Sequence, residues 1–274
     1  MGIPRICAVS YLNTAPLVWG LLHGPQKGHA ELSFAVPSEC ARRVVAGEAD
    51  LGIVPVVEMD RHGLQPVGDL CIACRGEVRS ILLFARRPWA EVRSLAADTG
   101  SRTSVQLARI ILRERFGVDP EIQPMPPELP AMLAAADAAL LIGDAALTVE
   151  PECTGAAWLD LGQAWLELTG LPMVFAVWAG RAPGLESVAG ILEGSFSYGL
   201  AHFDDIIRKE AASRGLPREL AARYLERNVT WRLGVEERAG LQRFLSAVRA
   251  LNGGCAGEVA DDDAERSRRA VPQR

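Results

Sequence analysis

Small polar residues gather at four places where an apolar run ends: Ser10-Tyr11-Leu12-Asn13-Thr14, Pro37-Ser38, Thr99 through Ser104, and Gly143-Asp144. Hydroxyls, an amide and free main-chain N–H groups hold a carboxylate or phosphate well, because they donate hydrogen bonds without carrying a net charge into the site. Ser80, near the start of a further apolar run, adds a hydroxyl close to the same cleft. Arg102 is the one cation in these segments and can give a charge-assisted bond to a carboxylate. Ser, Thr, Asn and Asp are also preferred helix caps and turn formers, so capping explains any one segment equally well. Their number is what points to a small organic anion. The candidate substrate contacts are Ser10, Tyr11, Asn13, Ser38, Ser80, Ser101, Arg102, Thr103, Ser104, Gly143 and Asp144.

Other chemistries find little support. The histidines (23, 29, 62 and 202) stand away from the polar segments, and there is no HExxH, Walker lysine or dinucleotide glycine fingerprint. No metal and no cofactor is implied. Cys71 and Cys74 form a CxxC, yet no second pair follows at ligand spacing, and the six scattered cysteines suit reduced thiols in a reducing compartment. A net charge of −5 gives no reason to bind nucleic acid or an anionic membrane. The opening MGIPRICAVSYL has no basic segment leading into a long apolar one, and no later stretch reaches bilayer-spanning length, so a cytoplasmic protein is expected.

The elements that must position these residues alternate in type. Residues 5–10 read as a strand, 16–22 as a helix, 31–36 as a strand, 39–46 as a helix capped by Ser38 and closed by Gly47, and 51–54 as an apolar strand. The run 80–85 ends at Arg86-Arg87-Pro88, which cannot continue a central strand. The alternation then resumes: a strand over 94–98, a helix over 104–116 with one apolar face, a proline-rich loop over 123–130, and a strand over 138–142 that opens a helix at Asp144. A strand over 173–179 is expected to pair with 80–85 and form a two-stranded hinge. The last third is helical, and apolar periodicity stops at Gly253. The pattern predicts an α/β protein of two lobes joined by two hinge crossovers. Lobe one comprises 1–86 and 180–252, lobe two 87–179, and 253–274 is a disordered tail. In open α/β sheets, ligands bind beyond the carboxyl ends of the strands, where the polar segments lie.

These residues alone leave enzyme and receptor equally open. The segments AVSYLNTAPLVWGL, PSECARRVVAGEADLGIVPVVE, VRSILLFARRP, DTGSRTSVQLARIIL, DAALLIGDAAL, DLGQAWLELTGLPMVFAVWAG and YLERNVTWRLGVEERAGLQRF narrow the choice. In this order and spacing the chain resembles the chorismate dehydratases of the futalosine route to menaquinone, from its start to about residue 252. The resemblance implies a fold similar to type II periplasmic binding proteins and the removal of water from chorismate to give 3-[(1-carboxyvinyl)oxy]benzoate. It further implies that Asn13 and Ser80 are the essential polar contacts, that Thr103 and Ser104 bind a carboxylate, and that Asp144 orients a loop or a substrate hydroxyl. It offers no histidine or lysine base, which leaves the substrate's own enolpyruvyl carboxylate to take the proton. The chain departs from the family pattern at Ala15 and in CIACRGEVRS. The alternatives are a related dihydroxynaphthoate synthase and a cytosolic binding or sensor protein for a small carboxylate.

Overall fold

The computed structural model describes residues 3–181 and 185–253, so almost all of the expected tail lies outside the described residues. The chain opens with three strand–helix units: β1 (Arg5–Val9), α1 (Ala15–His23), β2 (Glu31–Ala35), α2 (Pro37–Val45), β3 (Leu51–Pro55) and α3 (Val56–His62). β4 (Gln65–Cys74) then leads across to β5 (Ile81–Ala85). The second series is β6 (Ser94–Asp98), α4 (Thr103–Phe116), β7 (Glu121–Met125), α5 (Leu129–Ala135), β8 (Ala138–Ile142), α6 (Gly143–Leu147), β9 (Ala157–Asp160) and α7 (Leu161–Thr169). β10 (Met173–Gly180) brings the chain back to α8 (Glu186–Ala201), α9 (Phe203–Arg214), α10 (Arg218–Arg223), a π-helical turn at Tyr224–Asn228, β11 (Thr230–Arg232) and α11 (Val235–Gly253).

Two sheets result, ordered β11-β4-β10-β3-β1-β2 and β7-β6-β8-β5-β9. In each, strands from successive strand–helix units pair in parallel, and a strand from elsewhere in the chain enters antiparallel: β10 between β3 and β4, and β5 between β8 and β9. Here the structure corrects the expected hinge. The strand at 173–180 does not pair with 80–85. Both are wholly apolar runs able to occupy a central position in either sheet, so pattern alone did not choose the partner.

Two other expectations are corrected. The expected loop at 123–130 begins as β7, an edge strand that tolerates Pro124 because its outer side needs no ladder donor. β4 was not foreseen, because Pro66 and Gly68, the latter at φ +68°, break the periodicity of its first half.

Side chains along the second sheet alternate as a strand period requires. Leu83, Leu95 and Leu140 join the main core, whereas Leu82, Phe84, Ala139 and Leu141 pack under α5 with Met132. Cys7, Cys40, Cys71 and Cys74 are buried free thiols, Cys153 is an exposed one, and Cys255 falls outside the described residues. The odd separation of Cys71 and Cys74 along β4 points them to opposite faces, and burial pushes the Cys71 thiol up to about 12 and that of Cys74 well above its ordinary value. Neither is placed for redox or metal chemistry. Among the described residues, no helix is long and apolar enough to cross a membrane.

Candidate functional site

The carboxyl ends of β1, β3, β6 and β8 converge on a small, partly open cavity between the two sheets, of about 70 Å³. Its walls are mostly apolar, among them Val9, Ile53, Ile72, Ile142 and Phe175. Polar groups come from Tyr11, Asn13, Thr14, Ser80, Ser101, Arg102, Thr103, Ser104 and Tyr224. Of the sequence candidates, Tyr11, Asn13, Ser80, Ser101, Arg102, Thr103, Ser104 and Gly143 line this space.

Three candidates do not line it. Ser10 is exposed, and its carbonyl accepts from Arg214 Nη2 at 3.1 Å. Ser38 does not cap α2, whose N-cap is Val36 with Pro37 in the first turn. Instead its N–H donates to Gly100 O at 3.2 Å and its hydroxyl lies 3.4 Å from Thr99 O, reaching from one sheet's loops to the other's. Asp144 accepts from the Leu12 N–H at 2.9 Å and from Arg214 Nε at 2.8 Å. Ser38 and Asp144 thus tie the loops of the two sheets together around the cavity, whereas the Ser10 contact stays within the first lobe.

Asn13 and Ser80 are both buried, and Tyr224 joins them. Asn13 Nδ2 donates to the Tyr224 hydroxyl, which donates to Ser80 Oγ, each over 2.9 Å. The Asn13 carbonyl accepts from Trp231 Nε1 at 2.9 Å. Tyr224 and Trp231 were missed by sequence reasoning. The YLERNVTWRLG segment signalled them, but nothing in its pattern says that a tyrosine after a helix folds back onto two distant loops.

Ser80 follows a strained turn. Arg79 is the one non-glycine among the described residues with a positive φ, 61°. Its N–H donates to Asp160 Oδ2 at 2.6 Å, and Asp160 also accepts from the Val78 and Gln163 N–H groups. The Arg79 guanidinium reaches the carbonyls of Ala146 and Val149, at and just beyond the end of α6. One buried carboxylate therefore fixes both the turn before Ser80 and the start of α7.

On the far wall, α4 begins at Thr103 with no side-chain cap, leaving its first N–H groups and positive dipole end facing the cavity. Thr103 Oγ1 donates to Phe175 O at 3.0 Å. Ser101 is 2% exposed and its hydroxyl has no partner. An unpartnered hydroxyl beside a free helix N-terminus suits a carboxylate. Gly143, at φ +60°, lies against Tyr11: a Cβ there would sit 2.6 Å from the ring. Burial, aided by the negative charges of Asp98 and Asp144, pushes the Tyr11 phenol above its ordinary range. Burial does the same at Tyr224.

Two sheets of this topology around a largely apolar cavity define a periplasmic-binding-protein-like fold. Solved structures agree on the fold. AF1704 from Archaeoglobus fulgidus superposes with a TM-score of 0.75 at 18% identity, covering 91% of this chain and 97% of that one. The periplasmic aliphatic sulphonate binding protein SsuA of Escherichia coli does so with a TM-score of 0.61 at 18% identity, covering 93% and 89%. Residues 4–250 match the family model described as menaquinone biosynthesis, and the chain belongs to that family. Chorismate dehydratase of Thermus thermophilus is 33% identical over 269 residues, 90% of this chain and 94% of that protein.

Proposed function

We propose that this protein is a chorismate dehydratase, removing water from chorismate to give 3-[(1-carboxyvinyl)oxy]benzoate, and that it works in the cytoplasm. The observation that carries the reading is 33% identity to the Thermus enzyme across nine-tenths of the chain. The cavity supports it chemically. A diacid with an apolar ring calls for one carboxylate cradle, apolar walls and a few oriented hydrogen bonds, all of which this site offers.

The reaction breaks the C–H bond at the ether-bearing ring carbon and the C–O bond at its hydroxyl-bearing neighbour. The proton and the departing hydroxide together make one water, and the ring becomes aromatic. A base is needed, yet among the described cavity-lining residues none is Asp, Glu, His, Lys or Cys. The neighbouring carboxylates are committed elsewhere: Asp98 to the Gly100 N–H, Asp144 to Leu12 and Arg214, and Asp160 to three main-chain N–H groups. The substrate's enolpyruvyl carboxylate remains as the proton acceptor, brought close by the bound conformation. The α4 N-terminus with Ser101 and Ser104 would hold the ring carboxylate, while Asn13 and Ser80 would contact the polar groups on the opposite side of the ring.

The test is incubation of purified protein with chorismate, without added metal or cofactor, following substrate loss and the enolpyruvyl benzoate by chromatography and mass. Turnover that drops at least about a hundredfold in Asn13→Ala and Ser80→Ala is the expected result. Tight binding without product would instead make the protein a receptor.

A further inference from the structure

Tyr224 is 1% exposed, lines the cavity, and lies between the two side chains on which the proposed reaction depends. Its position comes from an unusual piece of backbone. α10 does not end at Arg223 but widens into a π-helical turn over Tyr224–Asn228, and β11 follows at once. Such turns are rare in helices and concentrate at functional sites. This one carries Tyr224 to Asn13 and Ser80, and Trp231 three residues beyond it to the Asn13 carbonyl. Asn228 Nδ2, donating to Glu77 O at 2.9 Å, ties the same turn to the crossover just before Ser80.

The hydrogen bonds have a direction. Thr14 Oγ1 faces Asn13 Oδ1 at 3.5 Å, which leaves the Asn13 amide N–H for Tyr224. A phenol has a single proton, so a hydroxyl that accepts from Asn13 gives that proton to Ser80. With its oxygen already accepting, Ser80 is free to point its own proton into the cavity. Each bond in such a chain polarises the next, making Ser80 a better donor than an isolated serine.

We infer that Tyr224 is a positioning residue of the reaction, whose hydroxyl, held by Asn13, orients Ser80 as a hydrogen-bond donor to the oxygen that leaves the substrate. This rests on the dehydratase reading above. Tyr224 neither loses nor gains a proton overall; it fixes the direction in which Ser80 donates as the C–O bond lengthens. The bond to Ser80 matters most once negative charge has built up on that oxygen, so its effect falls on kcat more than on KM.

Tyr224→Phe removes one oxygen and keeps the ring. The expected enzyme melts cooperatively, has a KM for chorismate within about twofold of the unaltered protein, and has a kcat lower by about tenfold or more. In a Ser80→Ala background, where no hydroxyl remains to be oriented, the same change lowers kcat by less than about twofold. Asn13→Asp gives a second probe, because a carboxylate only accepts and would draw the phenol proton away from Ser80; its kcat is expected to fall at least as far. A Tyr224→Phe enzyme with unaltered kcat, a loss that multiplies with that of Ser80→Ala, or an Asn13→Asp enzyme with full kcat overturns the inference. If the unaltered protein leaves chorismate intact, the dehydratase reading itself falls; normal turnover with an indifferent Tyr224→Phe overturns only the role of Tyr224.

Discussion

A dehydration in which the substrate's own carboxylate takes the proton, as proposed above, should show it in its pH profile. Among the described residues, the ionisable groups lining the site are Tyr11, Tyr224 and Arg102. A phenol ordinarily ionises near 10, and burial moves both tyrosines upward, so each stays neutral to higher pH than a free one. Asp98, packed near Tyr11, and Asp160, which holds the turn before Ser80, are both raised from the ordinary carboxylate value by burial, so a decline in rate at the acid end is expected from either of them or from the substrate's carboxylates. The expectation is a kcat constant from about pH 7 to about pH 9, measured at saturating chorismate. A limb with an apparent pKa inside that window would reveal a protein base. These residues were only partly legible in the sequence. Asn13, Ser101 and Thr103 stand in short polar segments after apolar strands, where anion sites are sought, and Ser80 stands just before one. Tyr224 has no such setting, since its role arises from where a π-helical turn lands in three dimensions.

At the scale of elements, strands and helices with clean periodicity were readable: the strands at 94–98 and 138–142 and the helix after Arg102. Failures came where sequence and geometry part company. β4 bulges around a proline and a left-handed glycine, and β10, apolar throughout, could have joined either sheet. The sequence pattern places the crossing at 86–88, after the strand at 80–85, but that strand, β5, belongs to the second sheet and the chain crosses before Ser80. The turn there holds Arg79 in the left-handed region, at a cost of about 1–2 kcal/mol for a residue with a side chain. The guanidinium's bonds to Ala146 and Val149 offset it. Arg79→Ala keeps the backbone cost and loses those bonds, whereas Arg79→Gly loses the bonds and relieves the backbone. In thermal or denaturant unfolding both variants should be less stable than the unaltered protein, with the glycine variant the more stable of the two by about 1 kcal/mol. Equal stabilities would mean that the turn carries no strain.

At the scale of the molecule, a few polar contacts link the two lobes on either side of the cavity. Arg214, on α9, is the centre of the largest group: it donates to Asp144 at the start of α6 and to the Ser10 carbonyl, and is itself braced by Glu210. Asp144 in turn takes the Leu12 N–H, while Ser38 meets Thr99 and Gly100 on the other flank. The Arg214–Asp144, Leu12–Asp144 and Ser38–Thr99/Gly100 contacts bridge elements of the two lobes and would break if the lobes moved apart, whereas the bonds of Arg214 to Ser10 and Glu210 lie within one lobe and hold its guanidinium in place. Closure exists before binding only to the extent that these bonds outweigh solvation of the separated surfaces, so weakening them lowers the closed fraction and the apparent affinity in proportion. Arg214 touches none of the cavity, which separates its effect from that of a substrate contact. Arg214→Ala should bind chorismate about tenfold more weakly, a loss of about 1.4 kcal/mol. Its ligand-free radius of gyration by small-angle scattering should be larger than that of the unaltered protein and should return to the same value at saturation. Unchanged affinity together with an unchanged radius would place the force that closes the lobes in the apolar walls of the cavity.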